Sequence, residues 1–81
     1  MTKLDKLVAQ IRARPTQARF ADVQTLMEAF GWRLVRQHGS HAIFRKDGEG
    51  MMSIPKVGGQ HVRGIYLDTI CKQLGLDDEH D

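Results

Sequence analysis

The apolar spacing of this chain changes period at Gly31, and that change constrains the fold more than any other feature. Before it, Val23, Leu26, Met27 and Phe30 follow the i, i+3, i+4, i+7 stripe of a helix, with Phe20 placed to staple its start and Gly31 to close it. After it the period is two: Trp32, Leu34 and Arg36 point one way while Arg33, Val35 and Gln37 point the other. A helix therefore feeds directly into a strand.

The strands that follow set a register. His38-Gly39-Ser40 reads as a three-residue hairpin loop with Gly39 supplying positive φ, which sets Gln37 opposite His41, Val35 opposite Ile43 and Arg33 opposite Arg45 on one face. Leu34 opposite Phe44 and Trp32 opposite Lys46 make up the other. The next turn, Asp47-Gly48-Glu49-Gly50, closes with two, three or four loop residues; only three sets Met52 against Phe44 and Ile54 against Ala42, so the hydrophobic pattern favours three. On this register His41, Arg33 and Arg45 share the face that the helices leave uncovered.

Two further helices complete the expected order α-α-β-β-β-α. Leu4, Leu7, Val8 and Ile11, behind a Thr2–Asp5 capping box, form a first helix, and Arg12, Arg14, Pro15 and Arg19 form a polar connector. Pro55 ends the third strand, 56–60 read as a glycine-containing loop, and Val62, Ile65, Tyr66, Thr69, Ile70 and Leu74 mark a last helix closed by Gly75. The expected architecture is α+β, a three-stranded antiparallel sheet with helices on one face.

With 81 residues there is room for one domain. The single Cys71 excludes an internal disulfide and no apolar run approaches a membrane span, so a cytoplasmic protein without membrane contact is the default. Four of the 10 acidic residues, Asp77, Asp78, Glu79 and Asp81, close the chain; without them 12 cations face 6 acids, a body charge of +6 that points to a polyanionic partner.

Metal-free cleavage of RNA needs a base for the 2′-hydroxyl proton, an acid for the leaving oxygen and cations for the phosphorane. His41 is a candidate base with Arg33, Arg45 and Lys56 around the phosphate, although spacing alone ranks an exposed or structurally hydrogen-bonded histidine ahead of it. His38 reads as a solvent-exposed loop residue before it reads as a conjugate acid, and Ser40 as a turn former before a phosphate contact. Gly58-Gly59 with Lys56 and Arg63 suggest a phosphate loop only slightly more than a plain helix entry. Histidines 38, 41, 61 and 80 form no metal-ligand pattern, and no cofactor or metal is expected. Trp32, Met27 and Met52 read as core and Met51 as a surface residue.

Phe20 to Phe30, Gly31-Trp32-Arg33-Leu34-Val35-Arg36-Gln37, Gly39-Ser40-His41-Ala42-Ile43-Phe44, Ile54-Pro55 and Gly58-Gly59 together resemble the HicA toxins of bacterial HicAB toxin-antitoxin modules. The resemblance covers positions 18–76 and departs from many members at Gln60-His61-Val62-Arg63-Gly64. It implies one double-stranded-RNA-binding-domain-like α-β-β-β-α unit with a helical extension over 1–14, to which this chain adds its acidic tail over 77–81. It also implies a ribosome-independent mRNA interferase of the stress response, silenced by a cognate HicB antitoxin. The family's catalytic histidine falls on His41; Arg33, Arg45, Lys56, Ser40 and Gly39 are then the candidate RNA contacts. The rival readings are a non-catalytic RNA-binding module of the same fold and an interaction protein whose main business is its partner.

Overall fold

The computed structural model describes residues 2–77. Its elements run α1 (Lys3–Arg12), β1 (Gln17–Arg19), α2 (Phe20–Ala29), β2 (Arg33–His38), β3 (His41–Lys46), β4 (Gly50–Pro55), β5 (His61–Arg63) and α3 (Gly64–Leu74). The architecture is α+β, with the antiparallel sheet β2-β3-β4 and a separate two-stranded sheet β1-β5. Apart from that small second sheet, this is the expected α-β-β-β-α arrangement behind an additional first helix.

Each helix ends where its local chemistry dictates. The Thr2 hydroxyl accepts from the Asp5 N–H and the Asp5 carboxylate from the Thr2 N–H, so both partners of the capping box are engaged at α1. The Trp32 N–H donates to the Met27 carbonyl at 3.0 Å, which folds the chain back onto the end of α2 and drives the indole into the core. At α3, Gly75 takes the left-handed conformation that closes a helix.

The core lies between the helices and one face of the large sheet. Val23, Leu26 and Met27 of α2, Leu67 and Ile70 of α3, and Ala42, Phe44, Met52 and Ile54 of the sheet are buried together with Trp32. Phe20 and Phe44 meet ring to ring at 6.1 Å in a tilted arrangement. Ile11 of α1 is fully buried in the same cluster and the Cys71 thiol donates to its carbonyl, so the first helix is packed into the domain.

The structure differs from the sequence reading in three places. First, 12–19 is no mere connector: Gln17–Arg19 pairs with His61–Arg63, bringing Ala18 opposite Val62. Second, Val62 belongs to β5 and not to the last helix, which starts at Gly64. Both strands are three residues long, too short to show a period. Third, the hairpin loop between β2 and β3 has two residues, not three, and Val35 forms a β-bulge. The three-residue turn between β3 and β4 is as expected, with Met52 against Phe44 and Ile54 against Ala42.

Candidate nucleic-acid interface

The β2–β3 hairpin turns on Gly39-Ser40. Gly39 has φ of 61° while Ser40 stays at negative φ, the pattern of a type II′ turn, which wants glycine at its first central position. No atom lies within 4 Å of where a Gly39 side chain would begin, so backbone conformation and not crowding requires the glycine. This two-residue loop makes His38 and His41 a directly opposed pair.

Beyond the turn come Gln37 opposite Ala42 and Arg36 opposite Ile43; the bulge then absorbs Val35, and Leu34 opposite Phe44 and Arg33 opposite Arg45 resume the ladder. A bulge places two successive residues on one side of a strand. Val35 and Arg36 both reach the open face, and the alternation inverts between there and the turn. Arg36 thus stands on the open face and not on the covered face that unbroken alternation assigns it.

The open face is a concavity of about 830 Å³, within the range of sites that hold a small ligand. Its lining divides by chemistry. Arg33, Arg36 and Arg45 supply charge, His38 and His41 supply imidazoles, and Val35, Ile43 and Met51 form an apolar floor with Ser53 beside them. No carboxylate lines it. Among the described residues none of these arginines or histidines makes a side-chain hydrogen bond or ion pair within the chain, so their polar groups are not committed to the fold. That removes the structurally hydrogen-bonded reading of His41, whose ring is exposed.

Of the residues singled out from sequence, His41, Arg33 and Arg45 come together on this face. Gly39 and Ser40 form the turn at its end, and the Lys56 N–H donates to the Ser40 carbonyl at 2.7 Å, bracing the turn from behind. The Lys56 ammonium is turned elsewhere: it lies 4.6 Å from the centre of the Phe20 ring and donates to the Gln60 amide oxygen. Arg36 and His38 join the face although periodicity and loop length placed neither there. The signal available for both was glycine at the first position of a two-residue loop.

The other candidates are accounted for by structure. Gly58-Gly59 sit in the turn joining Val57 to His61 and are separated from α3 by β5. The first amide of α3, on Gly64, donates to the Thr16 carbonyl. His61 Nδ1 lies 3.2 Å from the Gly58 carbonyl. Burial pushes the Cys71 thiol up, so it is an unreactive core residue. Among the described residues no three His, Cys, Asp or Glu side chains gather where a metal could sit, and no helix is long and apolar enough to cross a membrane. His80 and positions 78–81 of the acidic tail lie outside the described residues; Asp77 accepts two hydrogen bonds from the Arg14 guanidinium.

Searches among curated proteins and among solved structures return no match to this chain. A sequence profile of the family described as HicA toxin of bacterial toxin-antitoxin does match, over residues 20–76, from the first residue of α2 to just beyond the end of α3. That span contains the whole β2-β3-β4 sheet and its open face, and on it the chain belongs to the HicA toxin family.

Proposed function

We propose that this toxin is a metal-independent endoribonuclease that cleaves mRNA, with His41 as its principal acid or base. Membership of the family makes the chain the toxin of a toxin-antitoxin system with a cognate antitoxin as partner. The reaction and the residues that carry it are our reading of the open face. The observation that carries it is the juxtaposition of an exposed, unengaged imidazole at His41 with Arg33, Arg36 and Arg45 in a concavity that no carboxylate lines.

In this reading the RNA backbone follows the arginines. Their guanidinium groups bind the phosphate and stabilise the charge that builds as the phosphorane forms. His41 takes the proton of the 2′-hydroxyl, whose oxygen attacks phosphorus; the P–O5′ bond breaks, the leaving oxygen takes up a proton, and a 2′,3′-cyclic phosphate and a 5′-hydroxyl end result. Gly39 and Ser40 contribute as the turn that holds His41 at the end of the face, with the Ser40 hydroxyl available to a phosphate oxygen. Lys56, seated on Phe20, adds positive field from behind. A HicB-type antitoxin silences the toxin by covering this face, where its negative charge meets the basic body. The substrate places its work in the cytoplasm.

The test is product analysis on the purified chain with excess chelator present. RNA is cut to fragments with cyclic phosphate ends, the same RNA with a 2′-deoxy nucleotide at the cleavage position is not, and His41→Ala lowers the rate by about 10²–10⁴. Cutting of the deoxy substrate, full activity of His41→Ala or arrest by the chelator each removes this mechanism. Salt-dependent binding without products instead marks a non-catalytic RNA-binding module.

A further inference from the structure

The hairpin register gives His38 a position that a three-residue loop would deny it. It is the last residue of β2, directly opposite His41, and both rings line the same concavity. Directly opposed residues of an antiparallel pair carry their Cβ atoms about 4.5–5.5 Å apart on one face. From there each imidazole has about 3 Å of hydrogen-bond reach, so a single phosphodiester fits between them with one ring at each of two oxygens. Neither ring is engaged by another group of the described chain, in contrast to His61.

Resting on the endoribonuclease reading above, we propose that His38 is the second proton-transfer residue of this site, the general acid that protonates the leaving 5′ oxygen. The step balances. As the O2′–P bond forms, neutral His41 takes the 2′ proton; as the P–O5′ bond breaks, the imidazolium of His38 gives its proton to O5′. The products are a 2′,3′-cyclic phosphate and a 5′-hydroxyl, with His41 now charged and His38 neutral until solvent exchange resets them.

The sheet topology assigns the sides. Strand β2 is hydrogen-bonded only to β3, so beyond His38 the face ends at an open edge over which the leaving strand departs. On its other side His41 is flanked by Pro55 of β4, and the Lys56 N–H closes the space behind the turn. The charged groups facing His38 are Arg36 and Arg33 on its own strand and His41 and Arg45 on β3. Strand β4 presents uncharged Met51 and Ser53.

The decisive comparison uses an RNA oligonucleotide carrying the mapped cleavage site, alongside the same oligonucleotide with sulfur replacing the bridging 5′ oxygen. A thiolate leaves without protonation. His38→Ala and His38→Gln are expected to cut ordinary RNA about 10²–10⁴-fold more slowly than the parent toxin, yet to cut the sulfur-bridged RNA within about tenfold of it. His41→Ala is slow on both. In the pH profile of ordinary RNA cleavage, the His38 variants lose the alkaline limb. The proposal is overturned if His38→Ala cuts ordinary RNA at the parent rate, if its loss is equal on the two substrates while its circular dichroism matches the parent, or if sulfur rescues His41→Ala instead. A parent toxin that cuts neither substrate overturns the endoribonuclease reading itself, which is a separate result.

Discussion

The two faces of the β2-β3-β4 sheet alternate along the same strands and use their side chains in opposite ways. On the helix side Ala42, Phe44, Met52 and Ile54 are buried, and at the outer surface of the helical layer charges meet in pairs: Arg14 donates to Asp68 and Asp77, and Lys72 lies 3.2 Å from Asp68. On the open side Val35 is 47% and Met51 66% exposed, and the arginines have no acidic neighbour among the lining residues. The helix side carries mutually neutralising charges at its surface, whereas the open face carries arginines of one sign, which sum to a positive field there.

Adjacent methionines give the largest measurable contrast between the faces. Met52 is 9% exposed against Phe44, whereas Met51, next to it, faces outward opposite Arg45. Met52→Ala is expected to lower unfolding stability by about 2–5 kcal/mol. Met51→Ala should stay within about 0.5 kcal/mol, because it removes little buried surface. Urea unfolding of both variants checks this, and equal losses would break the distinction between the faces.

A smaller effect tests how closely the helix side is packed. A side chain begun at Gly64, where α3 starts, would stand 2.7 Å from the Pro15 carbonyl oxygen and 3.1 Å from that of Thr16. Backbone atoms have little freedom to yield, so Gly64→Ala is expected to destabilise by about 1–3 kcal/mol, read by thermal or urea denaturation. A neutral result would mean that the β1–β5 clip moves freely against α3.

Legibility in the sequence followed the same division. Elements long enough to display a period, α1, α2, α3 and the three strands of the large sheet, were readable, as was the pairing of Arg33 with Arg45. That pairing came out right although the loop was wrong: a two-residue turn plus one bulged residue advances the register as far as a three-residue turn does. The compensation ends at Val35. On β2 between the bulge and the turn, Arg36 and Gln37 lie on the faces opposite to those expected, so a three-residue loop misplaces Arg36 and hides the opposition of His38 to His41. A bulge arises from packing between strands, and no local residue pattern here announced it. β1 and β5 were missed because three residues carry no period and their partner lies far along the chain.

The paired charges of the helix side also set a pH dependence. Lys72, and after it Arg14, hold the Asp68 carboxyl below the usual carboxylate range, and Arg14 does the same to Asp77. A carboxyl whose pKa is lower folded than unfolded stabilises the fold above its unfolded value of about 3.9 and ceases to do so as pH falls through the folded value. Stability should therefore be steady near neutrality and decline below about pH 4. Asp68→Asn should start lower and decline less between pH 7 and 3, as judged by urea midpoints at the two values. An unchanged slope would separate this ion-pair group from stability.

The smallest expected effect has the opposite sign and tests the open face directly. Arg33 and Arg45 are directly opposed across β2 and β3, and like charges in that relation repel. Replacing Arg45 by threonine, a good strand former, removes the repulsion and should raise stability by about 0.2–1 kcal/mol. The same change should weaken RNA binding and shrink the slope of log affinity against log salt by about 0.7, one phosphate contact to a single strand. Stability gained together with binding lost is the signature of a residue kept for its ligand. If Arg45→Thr instead destabilises the protein, the aliphatic stem of Arg45 covers Ile43 and Met51 by more than its charge repels Arg33, and the open face then contributes to the fold as the covered face does.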